Sequence, residues 1–371
     1  MQRTLFDKIT LGTSSVTSQN RIMRSPTWEY SAGPNGEMTP ELAEIMVELA
    51  RHHVGIIGFS FCFVSEAGRL LNKQLGIQNA EVAESYRKVV SDIKALGSVP
   101  MLQLVHGGRF AMGSDRVGPS GTELTDVNGK PLPQCREASK EDIDHLVKEF
   151  VDAAVRSRDV GFEAVMLHAC HLTIISQFLN PMHNTRTDEY GGSLENRARF
   201  LLTIVREMKK ALGNEFPIAV KLNTDDTLPA GQTLTIEESA QVAAWLAEAG
   251  VCLVEASGGG LGARYRSSRT GKDAYEGFHR EGARLWKKAI KDAGYEGKTL
   301  VALVGGIRSG RTAVEFLNDG SCDVVSVARP LIREPDLVEK WMESVDYKAK
   351  CASCNGCFTL EKFGCIFNQK K

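Results

Sequence analysis

The chain has 371 residues, 42% of them hydrophobic, which is ample for one large buried core. Its 45 basic and 46 acidic side chains leave a formal charge of −1, with no basic stripe or acidic tail, so nucleic acid is not expected as a partner. The opening stretch from Met1 to Thr13 mixes Arg3, Asp7 and Lys8 with short apolar pieces, which fits neither a signal peptide nor a membrane span; a cytoplasmic protein without a membrane partner is expected.

In chain order, Leu5 to Thr17 has the pattern of a short hairpin, suited to plugging one end of a barrel. Eight apolar runs that end in Gly or polar residues then read as strands: Arg21 to Ser25, Gly55 to Phe59, Met101 to Val105, Ala164 to His168, Ile218 to Leu222, Val251 to Ala256, Leu300 to Val304 and Asp323 to Val327. Several are apolar throughout, as strands covered on both faces are. Helical spacing fills the intervals at Thr39 to His52, Ala80 to Leu96, Lys140 to Val160, Leu194 to Leu212, Thr235 to Ala249, Glu281 to Ala293 and Arg308 to Asn318, with capping pairs Ser193/Asn196 and Thr235/Glu238. The predicted class is α/β, a (β/α)8 TIM barrel over residues 1–345 with a Cys-rich extension over 346–371; a doubly wound sheet is the alternative. Two long loops, Gly107 to Glu137 and Ser257 to Arg280, are placed to shape a substrate site.

A barrel carries its active site where the strands end, so the polar residues there are the candidates. Strand three ends in Gln103 and His106-Gly107-Gly108-Arg109, strand four in His168-Ala169-Cys170-His171, strand seven in Gly305-Gly306 and strand eight in Ala328-Arg329. The Gly-Gly turn, with Arg329 on the next strand, suits a phosphate pocket. Lys221 lies in an otherwise apolar strand and needs a partner, either a flavin or a neighbouring carboxylate such as Glu255. His168 and His171 can donate paired hydrogen bonds to a carbonyl or nitro oxygen; a metal site or satisfied core histidines are the other readings.

The run HACHLTIISQFLNPMHNTRTDEYGGSLENRARF, His168 to Phe200, closely resembles the signature segment of the old yellow enzyme family. Asn20-Arg21-Ile22 with Ser25-Pro26, Gln103 with His106 to Arg109, and Gly305-Gly306 with Ala328-Arg329 extend the resemblance over essentially the whole chain. It implies FMN as cofactor and NAD(P)H as reductant, with a small-molecule acceptor such as an activated C=C. Carried over by position, Ser25, Pro26, Thr27 and Phe61 contact the flavin, Gln103 bonds its pyrimidine edge, and Lys221 stands beside it. Gly305, Gly306, Ala328 and Arg329 hold the phosphate, and His168 and His171 grip the acceptor. Asn184, Arg186, Asp188, Tyr190 and Asn196-Arg197 read as scaffold that locks the loop after strand four.

Two positions depart from the family pattern. Thr173 stands where many relatives have a proton-donating tyrosine, which leaves water, Tyr30, Tyr265 or Tyr275 as donors, Tyr30 being placed among the catalytic residues. Trp28 stands where relatives carry a flavin-tuning Cys or Thr, and would either reshape the cavity or pack beneath the ring. Of nine cysteines, Cys351, Cys354, Cys357 and Cys365 crowd the end of the chain, and the first three resemble the iron–sulfur segment of multidomain relatives. Iron–sulfur, zinc and metal-free thiols are all open there. Three functions follow: an ene-reductase, a flavin dehydrogenase or demethylase passing electrons through a terminal cluster, and a redox sensor. Homo-oligomer formation is left open.

Overall fold

The computed structural model describes residues 2–126, 129–224, 233–259, 269–271, 274–359 and 361–369. Eight parallel strands close into a barrel: β1 (Ile22–Arg24), β2 (Ile56–Phe63), β3 (Val99–Val105), β4 (Ala164–Ala169), β5 (Ile218–Asn223), β6 (Leu253–Ser257), β7 (Leu300–Leu303) and β8 (Val324–Val327). Each pairs with its sequence neighbours, and β8 pairs back onto β1 through Val325 beside Ile22 and Val327 beside Arg24. That closure excludes the doubly wound alternative. The strands are buried along both faces, which is why they are legible as unbroken apolar runs.

Alternation along the strands divides the core in two. Met23, Ile56, Met101, Met166, Ala219, Leu253 and Val324 point inward and form one cluster with Ile9 and Leu11. The last two belong to the antiparallel hairpin Ile9–Thr10 with Thr17–Ser18, so the hairpin does pack against the barrel interior. Neighbours of opposite parity, such as Leu102, Leu104, Val165 and Leu167, point outward into the larger cluster beneath the helices.

The helices Pro40–Arg51, Lys140–Asp159, Leu194–Leu212, Ile236–Glu248, Arg280–Asp292 and Gly310–Asn318 match the expected intervals to within a residue or two. Thr235 and Glu238 form a reciprocal capping box, and Ser193 caps Asn196 N. The interval Ala80 to Leu96, expected as one helix, is two, Ala80–Glu84 and Arg87–Ala95. Ser85 interrupts it: its hydroxyl donates back to Val82 O and accepts from Met38 N, a tertiary contact that replaces helix continuation. Three short helices, Ile174–Leu179, Arg329–Arg333 and Leu337–Glu343, have too few turns to show a period.

The terminal segment lies against the barrel through Ala349 N to Arg308 O (2.8 Å), Lys350 N to Glu334 Oε2 (2.5 Å) and Asn368 Nδ2 to Arg333 O (2.7 Å). Among the described residues no helix is long and apolar enough to cross a membrane.

Candidate active site at the strand ends

Parallel register sets His168 beside Lys221 and Lys221 beside Glu255, so three polar side chains from β4, β5 and β6 share one inward row. Lys221 and Glu255 are both buried, with Nζ 3.0 Å from Oε2. Lys221 also donates to Ser25 Oγ at 2.7 Å, and Ser326 Oγ donates to Glu255 Oε1 at 2.6 Å. Of the two partners open from sequence, the carboxylate is thus in place.

His168 and Lys221 of this row line a cavity of about 460 Å³, within the size range of cofactor sites. Its lining includes the expected Ser25, Pro26, Thr27, Phe61, Gln103, His168, His171, Lys221, Gly305, Gly306, Ala328 and Arg329. Phe61 is brought there by an irregularity of β2 between Phe59 and Phe61, and it stacks on His168 at 5.9 Å and 22°. Trp28 lines the cavity and also meets Tyr30 edge-on at 5.2 Å.

His168 and His171 stand 5.2 Å apart, ring to ring. Burial, with Lys221 nearby, pushes His171 down to about 3, and burial followed by the charges of His171 and Lys221 holds His168 well below the usual imidazole range. Both rings are therefore neutral near pH 7. His168 Nδ1 and His171 Nδ1 face Cys170 Sγ at 3.3 and 3.4 Å, while His171 Nε2 is 3.1 Å from Ser257 Oγ.

The turn that carries the pair is strained: His171 and Leu172 adopt φ of 55° and 62°, left-handed values disfavoured in side-chain-bearing residues. Gln177 holds it. Its Nε2 donates to Leu172 O (2.6 Å) and Gly107 O (2.9 Å), and its Oε1 accepts from Arg109 N (3.2 Å), tying the loops after β3 and β4 together. Gln177 was invisible as a site residue because its partners are remote in sequence; Ser257, a polar strand end like the others, had a signal. The scaffold expectation for the signature segment is met, with Asn184 Nδ2 donating to Phe178 O and Tyr190 O (2.7 Å each) and Arg186 pairing with Asp188.

Other expectations need correction. Tyr30 does not line the cavity; its hydroxyl donates to Cys357 O (2.7 Å), with Lys362 O at 3.3 Å, which makes it a tether for the terminal segment and not a proton donor. Tyr275 is 53% exposed and also outside the lining, and Tyr265 lies outside the described residues. Thr173 Oγ1 lies 2.6 Å from His168 O and 3.0 Å from Cys170 O, so its single hydroxyl proton is committed to backbone carbonyl.

The terminal cysteines also differ from a single-ion site. Among the described residues, the one gathering of His, Cys, Asp or Glu ligand atoms close enough to share an ion is His168, Cys170 and His171, not Cys351, Cys354, Cys357 and Cys365.

At the phosphate end, Arg308 N and Ser309 N both donate to Glu276 Oε2 at 3.0 Å, so part of that helix start is capped internally. Gly306 has φ of 69°, and a Cβ there would meet Tyr275 O at 2.7 Å, which makes glycine the residue that fits. Arg329 donates to Arg269 O (3.1 Å) and Asn355 Oδ1 (2.8 Å).

The cavity is rich in donors. Trp28 Nε1 and Arg308 Nε are buried in its wall without a hydrogen-bond partner among the described residues, and Gln103 Nε2 meets the soft Met166 sulfur at 3.3 Å. A flavin mononucleotide, with acceptors on its ring and phosphate, fits such a wall.

The fold and this cavity define a flavin-dependent barrel oxidoreductase. Residues 4–347 match the model of the NADH:flavin oxidoreductase / NADH oxidase family, and the chain belongs to that family. It is 35% identical over 337 residues to an NADPH dehydrogenase of Bacillus cytotoxicus, covering 90% of this chain and 91% of that one. Among solved structures it is similar to a 2-naphthoyl-CoA reductase complexed with 2-naphthoyl-CoA (TM-score 0.86, 25% identity, 99% of this chain), of which it spans 57%. It is also similar to morphinone reductase (TM-score 0.75, 25% identity, 96% of this chain and 94% of that one). The protein is an FMN-dependent NAD(P)H oxidoreductase of the old yellow enzyme type.

Proposed function

We propose that the enzyme reduces an activated C=C, or a similarly electron-poor small molecule, whose oxygen is hydrogen-bonded by His168 and His171. The observation that carries this reading is the pair of neutral imidazoles lining one cavity with their Nδ1 atoms turned to Cys170: the Nε2 edge of His168 is turned away from that thiol, and His171 Nε2 shares its side with the Ser257 hydroxyl at 3.1 Å, which an acceptor oxygen would replace. Bound FMN supplies the hydride chemistry between NAD(P)H and the acceptor.

Ser25, Pro26, Thr27, Phe61, Gln103 and Lys221 would hold the ring, and Gly305, Gly306, Ala328 and Arg329 the phosphate. Donors from His168 and His171 stabilise the negative charge that develops on the acceptor oxygen, and because burial keeps the rings uncharged they act as hydrogen-bond donors at neutral pH, not as acids. With Thr173 and Tyr30 committed to backbone carbonyls, the proton that completes reduction comes from water. Turnover of an enone and nitroalkene panel with NAD(P)H tests this: His168→Ala and His171→Ala should retain FMN and lose rate, and no turnover with any panel member would sink it.

One observation favours a second reading. The cysteine-bearing segment contributes Ser353 and Phe358 to the cavity wall, and its Asn355 Oδ1 accepts from Arg329 at 2.8 Å. An iron–sulfur cluster on that segment would adjoin the flavin site and let a dehydrogenase or demethylase pass electrons onward. Iron and sulfide analysis of anaerobically purified protein, with a test for flavin reduction by amines, separates the two.

A further inference from the structure

Cys170 lies between the paired histidines, and neither cofactor binding nor acceptor contact uses its thiol. The side chain is buried and outside any disulfide. One ligand atom each from His168, Cys170 and His171 falls within 4.8 Å of the others. Sγ is 3.3 Å from His168 Nδ1 and 3.4 Å from His171 Nδ1. In a tetrahedral zinc site with ordinary Zn–S and Zn–N lengths, the S···N edge is about 3.6 Å, so both sulfur–nitrogen edges already stand near ligating separation.

We propose that His168 Nδ1, Cys170 Sγ and His171 Nδ1 form a site for a thiophilic divalent cation, Zn2+ or Cd2+, behind the acceptor-facing edges of the same two rings. Binding releases the thiol proton to solvent and leaves a thiolate, two neutral imidazoles and a water as the ligand set. One soft sulfur and two imidazoles select Zn2+ and Cd2+ over Mg2+ and Ca2+, which require oxygen ligands. The turn helps assemble it: the left-handed conformation of His171 and Leu172, clamped by Gln177, folds ligands from residues 168, 170 and 171 onto one point. Metal on both Nδ1 atoms obliges each ring to carry its remaining proton on Nε2, so occupancy fixes both tautomers, His168 as a donor on the edge away from the metal and His171 as a donor on the side of the Ser257 hydroxyl.

The test uses FMN-loaded full-length protein in which Cys351, Cys354, Cys357 and Cys365 are replaced by Ser, stripped with chelator under reducing conditions. Zn2+ is titrated by calorimetry and Cd2+ by the ultraviolet thiolate-to-metal absorption band. One equivalent of each is expected, with the cadmium band present; Cys170→Ser, which keeps the shape but loses the soft ligand, should weaken binding at least tenfold and abolish the band. The same comparison in the natural tail background, where Cys170→Ser should remove one equivalent, covers the case of a tail variant that folds poorly. An unchanged flavin spectrum verifies folding of each variant. Equal affinity and an equal band with and without Cys170 would overturn the site. Since no acceptor is present, that failure would leave the proposed hydrogen bonds from Nε2 untouched.

Discussion

The Lys221–Glu255 pair gives the sharpest energetic prediction. Glu255 is fully buried, with two polar partners in view, the ammonium at 3.0 Å and the Ser326 hydroxyl at 2.6 Å. Lys221→Met keeps the aliphatic stem but leaves the carboxylate with the serine alone. Removing one partner of a buried ion pair costs about 3–5 kcal/mol, because the remaining charge keeps its desolvation penalty without its compensation. Against a total stability of about 5–15 kcal/mol, that is a large fraction. Lys221→Met with Glu255→Gln, which removes both charges, should recover at least about 1 kcal/mol of the loss. Equilibrium urea unfolding at saturating FMN measures all three proteins, with FMN excess held constant because bound ligand adds its own stabilisation. A single variant within about 1 kcal/mol of the parent, or a double variant no better than the single, would refute the claim that the lysine neutralises Glu255.

Other outcomes follow from the same geometry. His106 is pushed down to about 4 by burial and its Nδ1 accepts from Gly108 N at 3.0 Å, so the folded form resists a proton that the unfolded chain takes near 6.5. Its contribution is intact above 6.5 and is lost as pH falls toward 4; His106→Asn should therefore flatten the stability-versus-pH slope in that window by up to about 1.4 kcal/mol per pH unit, and an unchanged slope would contradict the assignment. Gln177→Ala removes the clamp on the strained turn and should cost about 1–3 kcal/mol while weakening acceptor binding more than FMN binding; ligand titration beside urea unfolding checks the split. Tyr30→Phe should leave turnover within about twofold, since the hydroxyl bonds only the terminal segment, but hasten limited proteolysis after residue 345; a collapse in rate would restore it as a proton donor.

Much of the fold was legible because parallel barrel strands are covered on both faces. Ala164 to His168 and Ile218 to Leu222 had to be apolar wherever they do not end in the site, and the polar exceptions, His168 and Lys221, marked the site itself. What stayed hidden depended on long-range contact. Tyr30 looked available as an acid until the fold placed the Cys357 carbonyl on its hydroxyl, a partner 327 residues away. The break at Ser85 arises from Met38, and the role of Gln177 from loops that meet only once the barrel closes. The thiol of Cys170 was visible as a letter between two histidines, but its approach to both Nδ1 atoms needed the left-handed turn at His171.

The central claim, paired neutral imidazoles presenting donors above a flavin cavity, is tested most directly by titrating phenol into FMN-loaded protein and following the flavin visible spectrum. The parent should bind phenol with an affinity that shows no inflection near pH 6.5, because neither ring titrates there. His168→Ala with His171→Ala should keep one FMN per chain and lose at least about tenfold in phenol affinity, the worth of two hydrogen bonds. Unchanged affinity in that double variant would contradict the account.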